Sequence, residues 1–335
     1  MRVKKNRGLS KPTDEWEYLA DSSPKDKPWD THRAEASQVG ELLLSPGTER
    51  WIYKQGKRVE ACSPSLGFGL SADLDTGEAK LKLLTAKFCR VKHCPVCQWR
   101  RSLMWKARFY SSLPQVLEIY PKAEWVFLTL TVRNCEIGDL KSQLQALNKA
   151  WNRFTQRTTF AGVDGWIRST EITKGRDGTA HPHFHVLLMV GPSYFKKNYT
   201  SKAAWAEAWK TCARLDYDPV VDVRKVRAKK ADIDRHGSKV GALAAAAAEV
   251  LKYTVKPSDL LSDREWFLEL VRQTFRSRAI ATGGALKEVL RQDQETDEDF
   301  IHTEEAPKSD ELALLFFDFA VAVGRYRRKR TGSSC

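Results

Sequence analysis

The sequence of 335 residues lacks any apolar run long enough to cross a membrane, for which about 18 or more consecutive apolar residues are needed. The basic N-terminal residues are not followed by an apolar stretch, so we do not expect a secretory signal peptide. Seven cysteines are too few for a disulfide framework in a chain of this length. These absences predict a cytoplasmic protein with no membrane partner.

Acidic residues are also comparatively scarce. The sequence has 56 lysines and arginines against 42 aspartates and glutamates, which gives a net charge of +14. Such an excess favours an acidic polymer as the partner, and nucleic acid is the usual one. The length allows one large domain or two medium domains with a sizeable core.

A predicted β-hairpin lies near the middle of the chain. Residues 166–173 and 181–190 are typical of strands, and the intervening segment contains Gly175, Asp177 and Gly178, which favour a turn. If Asp177 is the midpoint of the hairpin, Glu171 faces His183 on the opposite strand. Directly opposed residues have Cα atoms about 4.5–5.5 Å apart.

The second predicted strand carries three histidines, His181, His183 and His185. Side chains alternate along a strand, so the three histidines share one face with Glu171. Ordinary strand histidines are the alternative, but each buried ring nitrogen would then need its own partner. The pattern predicts a divalent metal site with His183, His185 and Glu171 as ligands and His181 as a further candidate.

Four cysteines suggest a second metal site. Cys94 and Cys97 have the two-residue spacing of zinc sites, and Cys89 and Cys62 lie upstream. These four thiolates could close a tetrahedral structural Zn²⁺ site, with His93 as a substitute for Cys62. A redox pair and unrelated buried thiols are the other interpretations. A redox pair should begin a helix, whereas a basic and aromatic run follows Cys97 at once.

Two basic segments are candidates for DNA contact. The run at residues 98–101 contains Arg100 and Arg101, which could bind phosphates beside the cysteine site. The densest basic patch lies further along the chain and consists of Lys225, Arg227, Lys229 and Lys230.

An alanine-rich helix is predicted from residue 241 to Pro257, which should end it. Glu249 and Tyr253 are four residues apart and would share a helix face, with Lys252 and Lys256 nearby. A surface tyrosine with ordinary helix neighbours is the alternative interpretation.

Two histidines and a glutamate around a cation, a tyrosine and a basic surface together indicate phosphoryl transfer on DNA. Tyr253 would act as the nucleophile through its phenolate oxygen. Because a free phenol has a pKa of about 10, Tyr253 would need help from Lys252, Lys256 or the metal.

Three motifs stand in a fixed order, at residues 127–131 (FLTLT), 181–185 (HPHFH) and 249–253 (EVLKY). In this order they resemble the replication initiator proteins of rolling-circle plasmids, within the HUH endonuclease superfamily. Residues 89–101 resemble the cysteine module that lies upstream in the branch with one catalytic tyrosine. The resemblance covers roughly residues 55 to 290.

The resemblance implies an α+β fold with a central antiparallel sheet and flanking helices. It implies that Tyr253 nicks plasmid double-strand origin DNA, leaving a 5′-phosphotyrosine and a free 3′-hydroxyl primer, and that Glu249 activates water in the terminating cleavage. Mg²⁺ or Mn²⁺ would be the metal cofactor, and a host helicase would be a partner. A relaxase or transposase, or a zinc-dependent DNA-binding regulator without catalysis, are the alternatives.

The predicted organisation has five parts. Residues 1–50 form a loosely ordered basic and polar segment, 51–110 a small zinc-binding module and 111–260 the nuclease domain. Residues 261–290 form a C-terminal helical extension, and 291–335 an acidic linker with a basic tail. Within the nuclease domain, residues 124–132 are the clearest strand and should be central in the sheet.

Overall fold

The computed structural model describes residues 17–72, 79–196, 199–226, 239–252, 255–289, 296–301 and 313–329. Its strands are β1 (Ser65–Ala72), β2 (Ala79–Ala86), β3 (Glu124–Leu130), β4 (Val163–Lys174), β5 (Ala180–Val190), β6 (Val221–Lys225), β7 (Ile280–Gly284), β8 (Ala313–Ala320) and β9 (Arg325–Arg328). They form two antiparallel sheets with the strand orders β6-β3-β5-β4-β7 and β2-β1-β8-β9. Helices flank both sheets, so the predicted α+β class with an antiparallel sheet is confirmed.

The helices occupy most of the remaining described chain. They are α1 (Leu19–Ser22), α2 (Pro28–Leu43), α3 (Arg50–Glu60), α4 (Pro95–Ile119), α5 (Leu140–Phe154), α6 (Lys202–Ala213), α7 (Lys239–Val250), α8 (Pro257–Leu261), α9 (Arg264–Gln273), α10 (Ala285–Val289) and α11 (Asp297–Ile301). Within the described residues, no helix combines the length and the apolar character needed to cross a bilayer.

The β4–β5 hairpin has the predicted register. Glu171 is paired with His183, and the register continues without interruption from there to the turn. The turn chemistry of residues 175–178 sets this register, with Gly178 in the left-handed region at φ 84°. The hairpin supplies the two central strands β5 and β4 of the five-stranded sheet.

The two faces of the five-stranded sheet are covered by different helices. Val126 and Leu128 of β3 pack with Trp151 of α5 and Trp209 of α6. Trp125 and Phe127, on the opposite face, pack with residues of α4 and α7 such as Phe109 and Leu243. Because side chains alternate along β3 and β5, the hairpin histidines lie on the face covered by α4 and α7.

The N-terminal segment is not loosely ordered, and that prediction is wrong for its described part. Residues 28–43 form α2, in which Trp29, Ala36, Val39 and Leu43 are buried. Pro28 does not break this helix, since it lies in the first turn, where a missing N–H costs nothing. This segment therefore belongs to the core around the cysteines.

The C-terminal segment also differs from the sequence prediction of a linker and tail. β8 pairs along β1, and β9 pairs with β8, so residues 313–328 complete the four-stranded sheet. Within the stretch predicted as an acidic linker, Asp297–Ile301 forms α11 and buries Phe300 completely. Long-range pairing thus joins the end of the chain to the cysteine region.

The predicted helical extension at residues 261–290 is only partly helical. Trp266 and Leu270 of α9 are buried, whereas Phe275 lies beyond the helix and is half-exposed. Residues 280–284 form β7 at the edge of the five-stranded sheet instead of a helix end. The domain boundaries drawn from the sequence stay predictions.

Candidate metal centres

One carboxylate and two imidazoles converge on the hairpin. The Nε2 atoms of His183 and His185 lie 3.2 Å apart, and Glu171 Oε2 lies 3.0 Å from His185 Nε2 and 3.6 Å from His183 Nε2. All three side chains are largely buried, with exposed fractions of 10–14%. Neighbouring ligands of an octahedral cation such as Mg²⁺ lie about 3 Å apart, so the spacing matches a metal centre.

The second nitrogen of each ring fixes which atom faces the centre. His183 Nδ1 lies 3.2 Å from the carbonyl oxygen of His181, which only accepts, so Nδ1 carries the proton. His185 Nδ1 lies 3.2 Å from the Thr129 hydroxyl, which can accept in the same way. When the two rings are neutral and protonated at Nδ1, both Nε2 atoms present lone pairs to each other and to a carboxylate. Three convergent electron pairs are the donor set that a cation requires.

Electrostatics favour an ionised carboxylate at this centre. Burial raises the pKa of the Glu171 carboxyl, but hydrogen bonds from His183 and His185 and the positive charge of these rings in their protonated form outweigh burial and hold its pKa well below the usual range. Glu171 is therefore available as an anionic ligand at every physiological pH.

His181 does not join the group. Its ring stacks on that of His183 with the centroids 5.0 Å apart, and the cluster of mutually close ligand atoms contains only Glu171, His183 and His185. Its strand position gives it the right face, but it lies two residues closer to the turn than His183. The prediction of His181 as a metal ligand is therefore corrected, and its carbonyl oxygen instead orients His183.

The alanine-rich helix lies on the same sheet face as this centre. Leu243, Ala247 and Val250 of α7 pack with Phe127 of β3 and Leu187 of β5. Phe127 and Leu187 each lie two positions from Thr129 and His185, on the same side of their strands. The C-terminal half of α7 is thus adjacent, on one sheet face, to the row of residues that holds the metal ligands.

The predicted continuation of this helix to Pro257 is wrong. The helix ends at Val250, and Pro257 begins α8 with Lys256 as its N-cap residue. Tyr253 lies outside the described residues. Glu249 forms an ion pair with Lys252, and both side chains are about half exposed. The shared helix face proposed for Glu249 and Tyr253 does not follow, because α7 stops between them.

The four predicted cysteines form a second group. The Sγ atoms of Cys62, Cys89, Cys94 and Cys97 all lie within 4.8 Å of one another, with Cys97 Sγ 3.6 Å from that of Cys62 and 3.5 Å from that of Cys89. Tetrahedral ligands at a Zn–S distance of about 2.3 Å would be separated by about 3.8 Å. The cluster therefore has the size of a zinc centre.

Backbone N–H groups point at these sulfurs. The amide of Arg90 donates to Cys97 Sγ at 3.3 Å, and the amide of Val91 donates to Cys89 Sγ at 3.5 Å. Arg90 adopts a left-handed backbone conformation, φ 55°, which turns its amide toward the cluster. Burial raises the pKa of the Cys94 thiol, so four thiolates would coexist here only around a cation. Sequence reasoning missed this turn, for which no local signal exists.

Two earlier interpretations of the cysteine region need correction. His93 is fully buried and its Nε2 lies 2.8 Å from the Thr274 hydroxyl, so Cys62 rather than His93 completes the cluster. The pair Cys94 and Cys97 does begin a helix, since α4 starts at Pro95. The argument against a redox pair from the following residues therefore fails, and the four-sulfur geometry replaces it.

Arg100 and Arg101 are not placed to bind DNA. Arg100 is buried, donates from Nε to the Phe300 carbonyl at 2.7 Å and lies near the rings of both Trp29 and Trp99. Arg101 is half-buried, and its guanidinium lies over the ring of Phe300. The basic run therefore holds α11 against α4, and the predicted phosphate contacts are wrong for Arg100 and unsupported for Arg101.

We expect Arg100→Gln to lower the free energy of unfolding by about 2 kcal/mol, because it leaves two buried carbonyl oxygens without their charged donor. Urea denaturation followed by tryptophan fluorescence measures this loss. DNA affinity of the folded variant should stay within twofold of that of the unmodified protein. A large loss of affinity without a loss of stability would restore the DNA-binding role.

Of the second basic patch predicted to contact DNA, the structure describes only Lys225. Lys225 forms an ion pair with Glu124 at 3.1 Å and lies over the Phe195 ring at 4.3 Å. Arg227, Lys229 and Lys230 lie outside the described residues. Their role in DNA binding stays a prediction.

Comparison with known proteins places the chain in a family. A family model described as "Replication protein" matches residues 80–326, which includes both hairpin strands, three of the four cysteines, and β8. The match begins at residue 80 rather than at residue 55, and it continues past residue 290, where the resemblance expected from the motifs ends. No solved structure matches the chain.

Curated relatives agree with this assignment. A protein named "Protein rep" from Lactiplantibacillus plantarum is 34% identical over 314 residues, covering 88% of this chain and 94% of the relative. The corresponding protein of Lentilactobacillus hilgardii is 34% identical over 283 residues, with coverages of 82% and 85%. That of Streptococcus pneumoniae is 30% identical over 273 residues and covers 80% of each chain. The chain belongs to the replication protein family, as the order of its motifs predicted.

Proposed function

We propose that the protein initiates rolling-circle replication of a plasmid by nicking one strand of the double-strand origin, with Tyr253 as the nucleophile. The observation that supports this most is the convergence of Glu171, His183 and His185 on the sheet face beside α7. In a chain of the replication protein family, such a centre is best explained as the site that binds the scissile phosphate.

The residues of the hairpin supply a preorganised site. Mg²⁺ or Mn²⁺ held by Glu171, His183 and His185 would draw electron density from the scissile phosphate. Thr129 and the His181 carbonyl orient the two rings from behind, so both Nε2 atoms are held in place before any ligand arrives. Preorganisation of this kind reduces the reorganisation needed during the reaction.

The nucleophilic step conserves the energy of the broken bond. The Tyr253 oxygen forms a bond to phosphorus while the bond from phosphorus to the 3′ oxygen breaks, and the 3′ oxygen takes up a proton. The products are a 5′-phosphotyrosine and a 3′-hydroxyl that can prime synthesis. Lys252 and Lys256, both exposed, are the cationic side chains nearest in sequence to assist deprotonation of Tyr253.

The described residues that flank residues 253 and 254 are buried in two of the cores. Leu251 belongs to the core that contains Phe127 of β3, and Val255 belongs to the core that contains Ile172 of β4. The chain on both sides of this segment is therefore anchored in cores to which the sheet with the candidate metal ligands contributes.

The proposal is tested by identifying a covalent product. Purified protein is incubated with Mn²⁺ and a supercoiled plasmid carrying its own origin, digested with trypsin and examined by mass spectrometry for a peptide linked to DNA. We expect the adduct on Tyr253. The matched control is Tyr253→Phe, which lacks only the hydroxyl and should form no adduct. No adduct with either metal would reject the proposal and favour a DNA-binding regulator without catalysis.

Glu249 is proposed to activate water in the cleavage that ends a replication cycle. We therefore expect Glu249→Ala to nick at nearly the normal rate but to lose termination by about a hundredfold, since a general base contributes about 10²–10⁴-fold. A two-origin plasmid, in which termination releases a smaller circle, separates the two steps. Equal loss of both steps would show that Glu249 has a different role.

The four-cysteine cluster is proposed to bind structural Zn²⁺. All four residues are buried, the surrounding amides donate to the sulfurs, and no open ligand position faces solvent among these residues.

A host helicase remains the partner expected to unwind the template ahead of the primer.

A further inference from the structure

A basic cleft opens beside the cysteine cluster. It has a volume of about 320 Å³ and lies between the end of α3 and the segment that joins β2 to α4. Four of its lining residues are cationic, namely Lys57, Arg58, Lys87 and Arg90, and none of the lining residues in the described chain is acidic. All four cationic side chains are exposed.

Two of the four cations are attached to the cysteine cluster. The Arg58 guanidinium donates to the Cys89 carbonyl oxygen at 2.5 Å. A guanidinium has five N–H donors, so Arg58 keeps further donors for a ligand in the cleft that it lines. Arg90 is fixed through its backbone amide, which donates to Cys97 Sγ. The cluster therefore sets the spacing of Arg58 and Arg90 along one wall.

Acidic neighbours lie at the rim. Lys57 pairs with Glu60 at 2.9 Å, and Arg90 pairs with Asp297 at 2.6 Å. These four side chains are 40–58% exposed, and exposed ion pairs contribute little because solvent screens them. A phosphate group can replace the carboxylates, and the cations still outnumber the acids two to one.

The chemistry of the cleft fits the backbone of DNA. A row of lysine and arginine side chains neutralises successive phosphates without reading bases. Phosphate contacts were predicted from the sequence for Arg100 and Arg101, but these side chains contact α11 and hold it in place. We infer that Lys57, Arg58, Lys87 and Arg90 bind the phosphodiester backbone of duplex DNA and so position the cysteine module on it. The inference rests on the proposed function only in taking origin DNA as the natural ligand.

The test compares two double variants that lose the same charge. Lys57→Gln with Lys87→Gln alters the cleft, whereas Lys149→Gln with Lys202→Gln removes exposed lysines from α5 and α6, on the sheet face opposite the metal centre. Fluorescence anisotropy with a duplex oligonucleotide, without divalent metal, gives affinities at several KCl concentrations. Each lost phosphate contact should reduce the slope of log K against log [salt] by about 0.9.

The cleft variant should bind at least about tenfold more weakly at 0.1 M salt, with a slope shallower by about 2, and equally so for origin and scrambled sequences. The control pair should change neither quantity appreciably. Glu60→Gln, which removes a competing carboxylate, should instead strengthen binding a few-fold. Equal slopes for the two double variants, or a loss confined to the origin sequence, would overturn the inference. Because binding is measured without cleavage, a protein that never nicks would refute the proposed function and leave this result interpretable.

Discussion

Replacing His185 with alanine should reduce nicking of an origin strand at least a hundredfold. His185 Nε2 contacts both Glu171 and His183, so its loss removes the central member of the ligand group. A bound cation stabilises the transition state by several kcal/mol, and each 1.36 kcal/mol corresponds to a tenfold change in rate. Single-turnover cleavage of a single-stranded origin oligonucleotide at saturating protein measures the effect.

His181→Ala is the matched control for this variant. It removes the same side chain from the same strand and the same face, but from outside the ligand group. We expect its rate to fall no more than a few-fold, and its Mn²⁺ affinity, measured by calorimetry, to stay within a few-fold of normal, whereas His185→Ala loses detectable Mn²⁺ binding. Equal loss for the two variants would show that the metal ligands are not those proposed.

Replacing Cys97 with serine should destabilise the protein by at least about 3 kcal/mol. Cys97 Sγ contacts two other sulfurs and accepts the Arg90 amide, and a serine oxygen is shorter and is a poor zinc ligand. Free energy of zinc binding at such centres contributes directly to folding. Chemical denaturation together with the zinc content of the purified protein gives both quantities.

Cys212→Ser provides the comparison. Cys212 of α6 is also buried, but it lies in a different core from Cys97. The same substitution there should lower the free energy of unfolding by only about 1–2 kcal/mol, which is the cost of burying a hydroxyl. A chelator should destabilise the unmodified protein and Cys212→Ser alike and have little further effect on Cys97→Ser. Unmodified protein that purifies without zinc and does not respond to chelators would contradict the structural-zinc assignment.

The hairpin was the most predictable part of the chain. Its register follows from local turn chemistry, and one pairing, Glu171 with His183, then determines which side chains share a face. The cysteine cluster was predictable as a set because metal ligands constrain residue types. Neither argument could exclude His181 or His93 as a metal ligand. Their exclusion depends on distances between side-chain atoms, which cannot be read from strand alternation or from residue spacing.

Other predictions were wrong because one sequence pattern was given more weight than another, or because the deciding contacts are long-range. Trp29, Ala36, Val39 and Leu43 have helical spacing, yet the basic and polar composition of residues 1–50 suggested a loosely ordered segment. Arg100 looked like a DNA contact because its run is basic and aromatic. Its partners, the carbonyls of Phe300 and Ile301, lie about 200 residues away and cannot be inferred from local sequence.

The pairing of β1 with β8 has a consequence for synthesis of the protein. β1 ends at residue 72 and β8 begins at residue 313, so a growing chain lacks the second partner of β1 until about 240 further residues have been made. At about 5–20 residues per second, the edge of β1 stays open for on the order of ten to fifty seconds. A nascent chain that does not yet include β8 therefore cannot complete the four-stranded sheet, and a copy truncated before β8 would be left with an unpaired strand edge that invites aggregation.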